Sequence, residues 1–232
     1  MQRLGVLLAL LAAVAAEAQP ALRLTPDTLN FGAVPLGATV SGEFVLIESV
    51  GDEPILIKIH TALQPFAMPF DQRYVLDEVR EGLVDSRAAV LEVMPLWTGP
   101  TRSDVAVDTK ERGAYVVEAL AVGTAPAAFS LAPGEVASRA LEIRNPGFAA
   151  LAVRVDEPAP WLRVEPRELS LAPGDGDPVV VRADASGLAP GVYRDTLRAT
   201  EDGTPFAFSW RVPVSLTVSA TTAEDADAVG AQ

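Results

Sequence analysis

The chain has 232 residues, of which 49% are hydrophobic and none is cysteine, and its 31 Asp and Glu outweigh 18 Lys and Arg to give a net charge of −13. The missing cysteine excludes disulfides, thiolate metal sites, cysteine nucleophiles and a lipid-modified N-terminal cysteine. The acidic balance argues against nucleic acid and anionic membrane surfaces as partners, and the hydrophobic share supplies cores for two domains of about a hundred residues each.

At the N-terminus, Arg3 is followed by an apolar run over residues 4–16 and then by Ala16-Glu17-Ala18. This predicts a secretory signal peptide over residues 1–18, cut after Ala18 to leave Gln19 first in an exported, periplasmic or extracellular protein. The competing reading, a retained anchor, is disfavoured because the run is shorter than the ~20 residues that span a bilayer. No later segment is apolar enough to span, so no membrane span is expected in the mature chain.

Residues 19–124 read as strands. Val40, Phe44 and Leu46 share one phase, and Ile55, Ile57 and Ile59 share another across Gly51-Asp52-Glu53-Pro54, which predicts a hairpin with a buried face. Ala89, Leu91 and Val93 precede Pro95, and Val105 and Val107 precede Asp108-Thr109. Such recurrence of short strands and turns predicts a β-sandwich. Residues 74–84 are the exception, because Leu76, Val79 and Leu83 fit a helical spacing equally well; a short helix or an irregular crossover is expected there.

Leu29-Asn30-Phe31-Gly32-Ala33-Val34-Pro35-Leu36-Gly37, the turn at Gly51-Asp52-Glu53-Pro54, the pair Pro95 and Gly99, and the closing Ala121-Val122-Gly123-Thr124 resemble the Hydin-type (ASH) Ig-like domain over most of residues 22–125. The family's usual Asn-x-Gly before the hairpin is Ser49-Val50-Gly51 here. The resemblance implies an interaction or structural module.

Residues 125–219 carry the phrase Leu-Ala-Pro-Gly three times, as Leu131-Ala132-Pro133-Gly134, Leu171-Ala172-Pro173-Gly174 and Leu188-Ala189-Pro190-Gly191. Proline sets φ for the first central position of a turn and glycine accepts the positive φ of the second in type II, so each copy predicts a strand ending in a reversal. Alternating stretches follow each copy, with Leu141 and Ile143, Val179 and Val181, and Tyr193, Leu197 and Ala199 on the apolar phase. The clearest alternation puts Phe206, Phe208, Trp210, Val212, Val214, Leu216 and Val218 on one face of one strand. Pro213 falls on its polar phase, which predicts an edge position or a bulge.

This half is similar to the BACON type of bacterial Ig-like domain through Asn145-Pro146-Gly147, Trp161-Leu162-Arg163-Val164-Glu165-Pro166 and the second and third Leu-Ala-Pro-Gly copies, the last continuing into Val192-Tyr193. Asp195 stands where a small residue is usual. The family was named for proposed carbohydrate binding, and its members often serve as spacers. The fold class expected for the whole chain is therefore all-β, two immunoglobulin-like β-sandwiches in series after a signal peptide. Residues 220–232 are small and acidic without an aromatic, and read as a disordered tail. Net charge is −7 over residues 19–124, −3 over 125–219 and −3 over the tail, so neither half has a basic excess.

Catalytic raw material is thin. The one histidine, His60, shares its phase with Lys58 and is expected to face solvent, and no Gly-x-Ser-x-Gly elbow accompanies it. Carboxylates at Asp52-Glu53, Asp77-Glu78, Asp156-Glu157 and Asp175-Gly176-Asp177 read as solvated turns rather than a facing pair across a cleft. Asp175 and Asp177 lack the ordered oxygen set of a calcium loop. No cofactor, metal or catalytic residue is expected.

Among the aromatics, Trp210 is in phase with the core, and Tyr193 fits a tyrosine whose hydroxyl ties back to nearby backbone. Trp161 opposes Leu162 and Val164 in phase, so packing inward and covering a face both stand, packing being favoured. Trp97 differs, because Pro95-Leu96-Trp97-Thr98-Gly99-Pro100 is a loop with little room to bury it. It is the one candidate ligand-binding residue.

Three readings follow. The first is a non-catalytic exported interaction or structural protein that contacts another protein or a cell-surface component. The second is a carbohydrate-binding protein using Trp97 on a glycan. The third is a periplasmic pilus-type chaperone, ranked last because such chaperones are usually basic and hold their partner with a basic pair between domains.

Overall fold

The computed structural model describes residues 22–49, 55–61, 65–67, 72–76, 86–109, 113–156, 158–201 and 208–220, and these form seventeen strands and no helix. The segment expected to be a signal peptide, the turn expected at residues 51–54 and the acidic residues beyond 220 lie outside the described residues. So do Phe206 and residues 77–85.

In the first half, β2 (Thr28–Pro35), β9 (Gly113–Thr124), β8 (Gly99–Thr109), β4 (Ile55–Thr61) and β6 (Gln72–Leu76) form one sheet in that order. Opposite it lie β1 (Leu22–Thr25), β3 (Thr39–Ser49), β7 (Ser86–Val93) and β5 (Phe66–Ala67). Their facing side chains make the core, where Phe31 meets Phe44 edge-on at 5.0 Å between ring centres and Phe31 lies 5.8 Å from Phe66. Perpendicular rings set positive edges against negative faces, a favoured arrangement.

The second half has β10 (Ala127–Leu131), β11 (Val136–Arg144), β12 (Leu151–Val155), β13 (Leu162–Glu165), β14 (Glu168–Leu171), β15 (Gly176–Asp184), β16 (Gly191–Glu201) and β17 (Ser209–Val218). One sheet is β11-β15-β13, and the other is β14-β12-β16-β17 with β10 added beside β17. In each half an early strand runs parallel to the half's last one, β2 with β9 and β10 with β17. Two face-to-face sheets closed in this way make immunoglobulin-like sandwiches.

The halves share a sheet. Residues 209–211 of β17 pair antiparallel with residues 39–41 of β3, so that nine strands form one continuous sheet across both. A second joint lies at the bulge in β2, where the register shifts between Asn30 and Ala33. The Ala33 N–H donates to a Glu142 carboxylate oxygen at 3.0 Å, and Arg144 donates to the other oxygen at 2.9 Å. Gly32, at φ 68°, admits that carboxylate, since a Cβ there would sit 2.6 Å from it.

The alternation of the last strand holds. Phe208, Trp210, Val212, Val214, Leu216 and Val218 are all buried. Pro213 lies where β17 changes neighbour, after Arg211 pairs with Thr39 and before Val214 pairs with Ala127. A proline, having no N–H, leaves no orphan donor in that gap.

Two of the three Leu-Ala-Pro-Gly copies are the expected turns. The Glu135 N–H donates to the Ala132 carbonyl and the Asp175 N–H to that of Ala172, and Gly134 and Gly174 both have φ 82°, the type II signature. The third copy is not a reversal. Gly187, at φ 73°, turns the chain after β15, and Gly191 has φ 159° and opens β16.

Three further expectations are corrected. β3 and β4 do not form a hairpin, because β3 pairs with β1, β7 and β17 whereas β4 pairs with β6 and β8. Nor does the phase of β3 run unbroken. Its register against β7 shifts between Glu43 and Val45, a bulge that buries Phe44 and Val45 together and leaves Leu46 only partly covered. Finally, residues 74–76 belong to strand β6, paired with residues 55–57, rather than to a helix or irregular crossover. The rest of that segment, with Val79 and Leu83, lies outside the described residues.

Candidate interaction surface

Trp97 stands on the loop between β7 and β8, and the residue is 47% exposed. The loop's backbone is tied down. The Met94 N–H donates to the Pro65 carbonyl at 3.1 Å, Pro95 is buried, and the Trp97 carbonyl lies so close to Gly123 that a Cβ there would overlap it. Gly99, at φ 110°, returns the chain to β8.

A held backbone turns the side chains outward. Met94, Leu96 and Val122 are exposed with Trp97, the last on β9 beside Gly123. This apolar set suits a partner's surface more than a sugar platform, because Trp97 is the one exposed aromatic among the large exposed hydrophobics of the described residues. Only Trp97 was legible beforehand. The signal for Val122 was an aliphatic residue on the outward phase of an alternating strand.

The other tryptophans are structural. Trp210 is 1% exposed. Trp161 is buried too, its ring 6.4 Å from that of Tyr193, and the Tyr193 hydroxyl donates to the Ala189 carbonyl at 2.8 Å. Asp195 accepts from the N–H groups of Ala159 and Thr196, each at 2.7 Å, which accounts for a carboxylate at a position where a small residue was expected.

His60 lies in β4 opposite Ala106. Asp52-Glu53, Asp77-Glu78 and Glu157 are outside the described residues. Among those described, no three His, Asp or Glu are placed to hold a metal ion, and no helix is long and apolar enough to cross a membrane. Asp184 is held below its ordinary pKa chiefly by the Ser186 hydrogen bond, with help from Arg182 and Arg163.

Glu43 moves the other way. It shares a cleft at the joint between halves with Glu201, Phe44, Asn145 and Phe208, and burial, then the charge of Glu201, raises its pKa above 4.5. A raised carboxylate penalises the folded state above its folded pKa, and the penalty disappears as pH falls through that value towards 4.5. Glu43→Gln should therefore melt higher than wild type at pH 8 and level with it at pH 4. Thermal melts at both pH values check this, and an unchanged difference would remove Glu43 as the cause.

No protein-family model matches the chain, and no curated protein does. Among solved structures it is similar to a protein of unknown function from Porphyromonas gingivalis W83, at 15% identity and TM-score 0.35, covering 85% of this chain and 99% of that one. It is similar to the N-terminal Ig1-2 module of the Drosophila receptor protein tyrosine phosphatase DLAR, at 11% identity and TM-score 0.29, covering 86% of this chain and 99% of that one. An endo-fucoidan hydrolase of glycoside hydrolase family 107 also matches, at 11% identity and TM-score 0.31, with 91% of this chain covering 30% of the enzyme. Likenesses at these scores carry no argument about activity.

Proposed function

We propose that this protein is an exported, non-catalytic interaction module, built of an ASH-like unit over residues 19–124 and a BACON-like unit over 125–219, whose Trp97 loop contacts another protein of the cell envelope. The observation that carries the reading is the exposed set Met94, Leu96, Trp97 and Val122 on a backbone held by Gly123 and Pro65. A rigid aromatic with aliphatic neighbours is the composition of interface anchors. Export rests on the predicted signal sequence. The second reading, a glycan stacked on Trp97, is favoured by the exposure of that ring alone.

A photo-crosslinking amino acid at position 97, introduced in the producing cell, tests the assignment. A discrete protein adduct that is absent when the same group replaces exposed Val136 is the expected result. Trp97→Ala should abolish the partner's binding while shifting stability by no more than about 0.5 kcal/mol, as for other surface changes. The absence of any adduct, together with loss of glycan-array binding in Trp97→Ala, would establish the sugar reading instead.

A further inference from the structure

A second candidate site shares no lining residue with the Trp97 loop. A groove of about 450 Å³ opens on the outer face of the nine-stranded sheet, beside Pro213, where β17 passes from its β3 neighbour to β10. Leu36, Pro126, Ala127 and Pro213 supply its apolar lining, and Arg194 and Arg198 supply its charge.

Neither arginine forms an ion pair or side-chain hydrogen bond among the described residues. Asp195, which also lines the groove, is already engaged by two backbone N–H groups. Across the strand from Arg198 stands Arg211, and like charges directly opposed destabilise a sheet. Asp156, whose N–H donates to the Arg198 carbonyl from the other side, makes no ion pair with it. In another arginine opposition, Arg163 with Arg182, Asp184 lies under the influence of both charges. Arg194, Arg198 and Arg211 thus form a cationic patch that makes no ion pair among the described residues, on a chain that is acidic in total.

We propose that this groove binds an extended acidic peptide segment of a partner protein. Arg194 and Arg198 are four residues apart on one strand, hence on one face and about 13 Å apart at ~3.3 Å per residue. An extended peptide repeats the same distance between residues i and i+4, with residue i+2 on the same side. Two carboxylates would meet the two guanidiniums, and an aliphatic residue between them would meet the apolar lining. Arginine suits this task because its planar fork takes a carboxylate through two parallel hydrogen bonds. The chain's net charge opposes an acidic partner only at long range, and at physiological salt that repulsion is screened beyond about 8 Å.

The test uses the whole protein and two fluorescein-labelled peptides, one with the core Glu-Thr-Val-Thr-Glu and one with Gln-Thr-Val-Thr-Gln, in fluorescence anisotropy at about 150 mM salt. Saturable binding of the glutamate peptide alone is expected. Arg194→Ala with Arg198→Ala should weaken it about tenfold or more, with a melting temperature no lower than wild type, because both side chains are exposed and the variant removes the opposition of Arg198 to Arg211. Trp97→Ala should bind the peptide as wild type does. Equal binding of the two peptides, no saturable binding, or an unaffected arginine double variant would overturn the assignment. So would a sulfated glycan fragment that binds the groove more tightly than the peptide. A result in which Trp97→Ala alone abolishes peptide binding would overturn the groove while leaving the Trp97 loop as the contact surface.

Discussion

Trp210→Ala is expected to destabilise the protein by about 3–5 kcal/mol, the range for removing a large aromatic from a packed core. The side chain is 1% exposed, and its strand neighbours are Ala199 on one side and Val40 on the other. Alanine would leave a void that neither small neighbour can fill, and a void loses its dispersion contacts outright. Because residue 210 also belongs to the three-residue ladder with β3, the loss should weaken the joint between halves as well as the second core. Urea titration followed by tryptophan fluorescence measures the change. A loss below about 1 kcal/mol, the scale of surface changes, would place Trp210 outside the load of the core.

Asn145→Ala is the second large effect, on the order of 3 kcal/mol. Asn145 is buried, and its amide nitrogen donates to the carbonyls of Ala149 at 2.8 Å and Leu171 at 3.1 Å. Its side-chain oxygen accepts from the Gly147 N–H at 3.0 Å, while its backbone exchanges hydrogen bonds with Asp175 and Gly174 of the second Leu-Ala-Pro-Gly turn. Alanine keeps the backbone bonds and removes the partner of three polar groups, two of which make buried bonds. Asn145→Asp makes a useful companion, since it keeps the acceptor for Gly147 but loses both donors. It should be destabilised at neutral pH by at least as much, because a charge is buried too. Equal melting of Asn145→Ala and wild type would mean that water replaces all three bonds.

The strands themselves were legible because a strand's facing is a local property. Side chains alternate by backbone geometry, so Ala89, Leu91 and Val93, or the even positions from Phe208 to Val218, declare their buried face without knowledge of any neighbour. The same holds for Pro133-Gly134 and Pro173-Gly174, whose conformations are imposed within four residues. Trp97 was legible for a related reason, since proline and glycine on both sides mark a loop. Its neighbour Val122 was not, because an aliphatic residue on an outward phase becomes informative only when the covering strand is seen to be absent.

What the sequence determined by itself was the element type, the buried face of most strands and two of the three repeated turns, all governed by interactions between residues close along the chain. The tertiary structure alone decided pairing. β3 turned from its neighbour β4 to β7 and β17, the bulge at Phe44 exchanged the phases within β3, and Gly191 entered a strand rather than a reversal. Those outcomes depend on which distant backbone offers hydrogen bonds and which distant side chains fill the core. The groove at the joint had no local signature for the same reason, since Leu36, Pro126, Arg194 and Pro213 come from four separate stretches and meet only when β17 joins the two halves.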